Sequence, residues 1–139
     1  MPLITEAYRE LNAELHARNP TYGTSGAKWA AKVHRLAKQY EAETILDYGS
    51  GKGTLGVALR QNMVVPAYGF AEYDPAVEGK DALPARADFI VCNDVLEHIE
   101  PACLYAVLDD LHNLTRKAIL LIVATVPAAK TLADGRNAH

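Results

Sequence analysis

Asp47, Gly49, Gly51 and Gly53 stand at alternate positions in the run Thr-Ile-Leu-Asp-Tyr-Gly-Ser-Gly-Lys-Gly, residues 44–53. Ile45 and Leu46 read as the end of a short buried strand, and a helical pattern resumes at Thr54. A strand that breaks into a glycine turn and re-enters as a helix makes a cradle for a small ligand. Glycines let backbone approach a ligand with no Cβ in the way. The new helix turns its unpaired N–H groups and positive dipole end toward the turn, which suits a carboxylate or phosphate. Two phosphate readings fail at a defining position. A dinucleotide fingerprint needs glycine where Thr54 stands, and a P-loop needs Ser or Thr where Gly53 follows Gly51-Lys52. Asp47 would repel a phosphate but matches an amine. The turn therefore suits a ligand that carries both an ammonium and a carboxylate.

Further acidic and polar groups stand where strands should end. In Glu72-Tyr73-Asp74-Pro75 the proline cannot continue a central strand, so Asp74 falls near the carboxyl edge of the sheet. Ligands of open α/β sheets bind at that edge, where a carboxylate can accept hydrogen bonds from both hydroxyls of a ribose. Glu72 competes for this role, and Asp74 is preferred because it is last before the turn. The segment Asn93-Asp94-Val95-Leu96-Glu97-His98 closes the next apolar run.

Taken together, these segments resemble the class I S-adenosylmethionine-dependent methyltransferases. Residues 45–53 are similar to the family's first motif, and Asp94-Val95-Leu96-Glu97-His98 is similar to a segment common in its small-molecule members. The resemblance covers roughly 21–126. It implies S-adenosylmethionine as cofactor and S-adenosylhomocysteine as product, with Asp47, Gly49, Ser50, Gly51 and Gly53 around the amino-acid end and Asp74 at the ribose. It implies Asp81 and Ala82 near the adenine, although Asp81 also reads as an ordinary turn aspartate. Asn93, Asp94 and Val95 would lie beneath the sulfonium. Tyr22 would meet the methionine end, or else is a surface-loop tyrosine. His98 is the candidate base for an oxygen acceptor, with His139 as a second; the Glu97-His98 pair equally suits orienting the loop and the helix that follows it.

These groups need a scaffold. Residues 3–18 carry Ile4, Tyr8, Leu11 and Leu15 at helical spacing and end at Asn19-Pro20. A second helix spans 26–41, capped by Thr24 or Ser25, with Trp29, Val33, Leu36, Ala37 and Tyr40 inward and Lys28, Lys32, Arg35 and Lys38 outward. The first strand is 44–48. A helix from Thr54 to about Gln61 follows, and the stretch 63–74 leads into a second strand. Residues 79–84 read as a loop with at most a vestigial strand. Residues 88–93 read as the next strand, in which Phe89-Ile90-Val91-Cys92 is a continuous apolar run, as in a strand buried on both faces. Pro101 opens a last helix with Leu104, Val107, Leu108, Leu111 and Leu114 inward, and 118–126 form the last strand. This is an α/β, doubly wound Rossmann-like fold with a mostly parallel sheet and helices on both faces. It lacks the two C-terminal strands usual in the resembled family. The expected organisation is an N-terminal helix (1–20), a cofactor domain (21–127) and a flexible tail (128–139).

At 139 residues, half of them apolar, the chain fits one domain with a substantial core. A net charge of −3 provides no broad attraction to nucleic acid. The Asn-Pro-Pro-Tyr type of tetrad used on DNA bases is also missing, since Asn93 precedes Asp94-Val95-Leu96. Cys92 and Cys103 suggest neither a disulfide framework nor a metal site, and no metal-ligand cluster is visible. The N-terminus lacks a signal-peptide pattern and no apolar run is long enough to span a membrane, so a cytoplasmic protein is expected. The leading expectation is a methyltransferase acting on a small molecule. A weakly active or non-catalytic S-adenosylmethionine binder and a degenerate dinucleotide module are the alternatives. The open sheet edge points to a homo-oligomer.

Overall fold

The computed structural model describes residues 2–62, 68–137 and 139. Four parallel strands form one sheet in the order β2-β1-β3-β4, with β1 Thr44–Tyr48, β2 Gly69–Tyr73, β3 Ala87–Asn93 and β4 Thr115–Ile122. Side chains alternate across the pleat, so β1 and β3 each feed two cores. Ile45, Phe89 and Val91 pack under α2 (Ala30–Gln39) and α3 (Thr54–Asn62). Leu46, Tyr48, Ile90 and Cys92 pack under α4 (Leu104–Leu114) on the other face. Every residue of β3 is buried, which explains the apolar run Phe89 to Cys92 at its centre. The expected doubly wound α/β architecture is the observed one.

The order places β1 and β3 at the point where the chain changes face. The connection from β1 runs through α3 on one side, and that from β3 runs through α4 on the other. A crevice opens at such a switch point, above the carboxyl ends of the strands.

Several boundaries differ from the expectation. The 26–41 segment begins as a 3-10 turn, Ser25–Trp29, before α2, and neither Thr24 nor Ser25 caps it through its side chain. Thr24 Oγ1 donates to the Thr21 carbonyl instead, and Ser25 Oγ accepts from Asn93. Tyr40, expected inward, is 43% exposed. β4 starts at Thr115 rather than 118 and ends at Ile122. Arg116 and Lys117 disguise its start, because their charges reach toward Asp88 at 3.9 and 4.0 Å. Part of the stretch leading into β2, residues 63–67, lies outside the described residues. Residues 79–84 form a loop with no strand. Beyond Ile122 no described residue joins the sheet, so β4 is its edge strand.

α1 (Glu6–Arg18) is capped by Thr5, whose Oγ1 accepts from the Tyr8 N–H at 3.3 Å. Its buried positions are Tyr8, Asn12 and Leu15. The segment after Pro127, expected as a flexible tail, folds back onto this helix. Leu132 is 2% exposed and clusters with Tyr8 and Leu15, and Arg18 donates to the Thr131 carbonyl at 2.8 Å. Thr131 and Asn137 close this excursion as an isolated antiparallel bridge.

Candidate functional site

A cavity of about 570 Å³ opens above the carboxyl ends of β1, β2 and β3. That is within the usual size range of small-molecule sites. Its floor is Asp47 to Gly51 at the end of β1, Tyr73 to Ala76 at the end of β2, and Asn93 to Val95 at the end of β3. Its roof comes from outside the sheet: Ile4 just before α1, Tyr8, Asn12 and His16 on α1, and Ala128 to Lys130 with His139 from the tail.

The glycine turn is stitched in place by its own backbone. The N–H groups of Gly49 and Ser50 both donate to the Tyr73 carbonyl, at 2.7 and 3.1 Å. The Lys52 N–H donates to the Gly23 carbonyl at 3.0 Å, while its ammonium donates to the carbonyls of His16 and Tyr22. The side chain of Lys52 thus ties the turn to the end of α1. The glycines are needed partly for this packing. A Cβ on Gly49 would come within 2.2 Å of Val95 Cγ2, and one on Gly51 would come within 2.6 Å of the Gly23 carbonyl oxygen. Both also hold positive φ, +78° and +53°.

Asp74 sits where the strand ends and is 7% exposed. Its Oδ2 accepts from the Gly51 N–H at 2.8 Å and its Oδ1 from the Ala76 N–H at 3.0 Å. A carboxylate has about four acceptor positions, so two backbone bonds leave room for ligand hydroxyls. The competing Glu72 does not line the cavity. It pairs with Lys80 at 3.0 Å beneath Gly53, and Lys80 donates onward to the Gly51 carbonyl.

Asp47 is 5% exposed, and its acidity is moved further than that of any other carboxyl here. Burial raises its pKa from the ordinary 3.8 to about 7, with the charges of Glu72 and Asp74 adding to the rise and Lys80 opposing it. The group therefore sits in this cavity as a carboxyl short of positive charge. Burial also raises the Tyr22 phenol and lowers the His16 imidazolium pKa. Two more polar atoms of the floor are orphaned: Ser50 Oγ and Asn93 Oδ1 are buried with no hydrogen-bond partner among the described residues. Asn93 Nδ2 meanwhile donates to Ser25 Oγ at 3.0 Å. Buried polar groups without partners are costly, and a ligand is one thing that satisfies them.

The fold gathers Tyr22, Asp47, Gly49, Ser50, Gly51, Asp74, Asn93, Asp94, Val95 and His98 around one cavity. It leaves Gly53 behind the turn, and it leaves Asp81 and Ala82 exposed on the loop after β2, away from the cavity. Tyr22 is half-buried between His16 and His98, at ring separations of 4.6 and 5.9 Å. Its hydroxyl donates to Asn12 Oδ1. Tyr8, Asn12 and His16 of α1 were not among the expected site residues, although they stand four residues apart and place two polar groups on a helix face that also carries an apolar one. The tail residue Lys130 left no comparable signal, whereas His139, expected as a second candidate base, does line the cavity.

A family model described as a methyltransferase domain matches residues 21–138. No curated protein and no solved structure matches the chain.

Proposed function

The chain belongs to the methyltransferase-domain family, and from that premise we propose that it transfers a methyl group from S-adenosylmethionine to a small-molecule acceptor. The observation that carries this reading is the pairing of a buried, charge-starved Asp47 with orphaned Ser50 Oγ and Asn93 Oδ1 in one cavity. An ammonium-bearing, hydroxyl-rich ligand supplies the donors those three groups lack. Asp47 would take the amine, Asp74 the ribose hydroxyls, and Tyr22 and Asn93 would flank the methionine portion.

When bound, the cofactor supplies an electrophilic methyl carbon on a sulfonium. The protein's contribution is alignment and exclusion of water. α1 and the folded-back tail roof the cavity and perform the exclusion, with Ile4, Tyr8, Pro127 and Ala128 as apolar lining. His98 lines the same cavity and is the proposed acceptor of a hydroxyl proton. The lining is mixed rather than basic, which favours a small acceptor over nucleic acid. Among the described residues no helix is long and apolar enough to cross a membrane. The reading extends to a homo-oligomer, supported by the uncovered edge of β4 near Leu121 and Val123, 45% and 44% exposed. Light scattering tests that part.

The activity is tested by incubating the full chain with S-adenosylmethionine and a panel of hydroxyl, amine and thiol acceptors, and measuring S-adenosylhomocysteine. Acceptor-dependent product supports the proposal. Cofactor binding without product over the whole panel would leave a binding protein in its place.

A further inference from the structure

At the cavity mouth the fold assembles three metal-ligating side chains that lie far apart in sequence. Glu97 and His98 come from the short turn after β3, and His139 comes from the tail. One ligand atom from each lies within 4.8 Å of the other two. We propose that Glu97, His98 and His139 bind one divalent transition metal of the zinc class, with a fourth position open to water or to an acceptor oxygen.

Two of the three groups are already oriented for this. Glu97 Oε1 accepts from the Ala124 N–H at 2.9 Å, which fixes the carboxylate, while Oε2 is buried without a partner among the described residues. His139 Nδ1 faces the Val126 carbonyl, which can only accept. Nδ1 must then carry the proton, leaving the Nε2 lone pair for a metal. A backbone carbonyl holding the far nitrogen is the usual arrangement behind a metal-bound histidine. The His98 and His139 rings lie edge to face at a centroid separation of 4.8 Å. Tetrahedral zinc with bonds of about 2.0–2.1 Å holds its ligands about 3.4 Å apart, so metal uptake draws the three groups together by up to about 1.4 Å. Two imidazoles and one carboxylate match the donor set of catalytic zinc sites that keep an open position.

His98 and His139 also line the cavity, so the metal belongs to its mouth. A metal there fastens the tail to the turn after β3. This assignment stands apart from methyl transfer, but its consequence for the acceptor rests on the proposed function. A metal-held His98 would no longer take the proton; the ion would lower the pKa of a bound hydroxyl, whose proton would then pass to solvent water. The acceptor class is then an alcohol or phenol.

The test uses the full chain, stripped with a chelator and free of cofactor and acceptor. Zinc chloride is titrated calorimetrically, and cobalt(II) is followed by its visible absorption. One ion per chain is expected, with the intense cobalt bands of four- or five-coordination. Glu97→Gln, His98→Ala and His139→Ala should each weaken binding at least about tenfold. His112→Ala, on α4 and outside the cluster, should bind as wild type does. Circular dichroism confirms that each variant is folded, and His139→Ala removes an exposed side chain that no core needs. Failure of stoichiometric uptake, or equal affinity in wild type and His139→Ala, overturns the assignment whatever the outcome of the methyl-transfer assay.

Discussion

Asp47→Asn separates the demands of folding from those of binding. Asn has the same shape and no charge. In the native protein the Asp47 pKa is about 7, against 3.8 for the free group. Between those values the folded chain holds a proton that the unfolded chain has released. Stability attributable to this group therefore falls as pH rises through the window and levels off above about pH 7. At ~1.4 kcal/mol per unit, the rise corresponds to about 4 kcal/mol of destabilisation once the carboxylate is fully ionised. The variant should accordingly match wild type near pH 4 and exceed it by up to about 4 kcal/mol at pH 8, read by urea unfolding. Binding should move the other way. An ammonium ligand needs the ionised carboxylate, so wild-type affinity for S-adenosylhomocysteine should fall as pH drops below 7. The variant should bind more weakly and lose this pH dependence. Calorimetric titrations from pH 5.5 to 8.5 on both proteins measure it. Equal stability of the two at pH 8, or unchanged affinity in Asp47→Asn, would refute the claim that an under-compensated carboxylate waits in the cavity.

Asp74→Ala should weaken S-adenosylhomocysteine binding by roughly 1–3 kcal/mol, while Glu72→Gln, outside the cavity, should weaken it far less; calorimetry on the two variants decides between them. Gly49→Ala should destabilise the fold by about 1–3 kcal/mol, because the position holds φ +78° and its Cβ would meet Val95. Adding Val95→Ala should recover only the steric part, as denaturation of the double variant will show. Leu132→Ala should cost about 2 kcal/mol and raise hydrogen exchange in 128–137 and along α1, since Leu132 is 2% exposed against Tyr8 and Leu15.

What the sequence disclosed depended on how local the signal was. The strand, turn and helix around 44–62 could be read directly, because strand burial, glycine spacing and helical periodicity all fall within a few residues. β3 was equally legible through the apolar run Phe89 to Cys92. The start of β4 was not, because Arg116 and Lys117 serve Asp88 on a neighbouring strand and look like the end of a helix. The floor of the cavity was foreseen through Asp47, Asp74 and Asn93, which sit at strand tips. The roof was not. Tail contacts such as Arg18 with Thr131 span 113 residues, and no spacing rule connects partners so distant. The glycine turn was expected to be open to a ligand, yet much of its freedom serves packing against Val95 and Gly23. Loop residues such as Asp81 and Ala82 depend on where a connection turns, which composition alone does not fix.

The central claim is that the cavity over the carboxyl ends of β1, β2 and β3 holds an amino-acid-bearing adenosine with its amine on Asp47. A crystal structure of the chain grown with S-adenosylhomocysteine tests this most directly. The account predicts the ligand amine within hydrogen-bond reach of the Asp47 carboxylate and the ribose hydroxyls on Asp74. Ligand seated away from Asp47, or a cavity left vacant at saturating ligand, would contradict it.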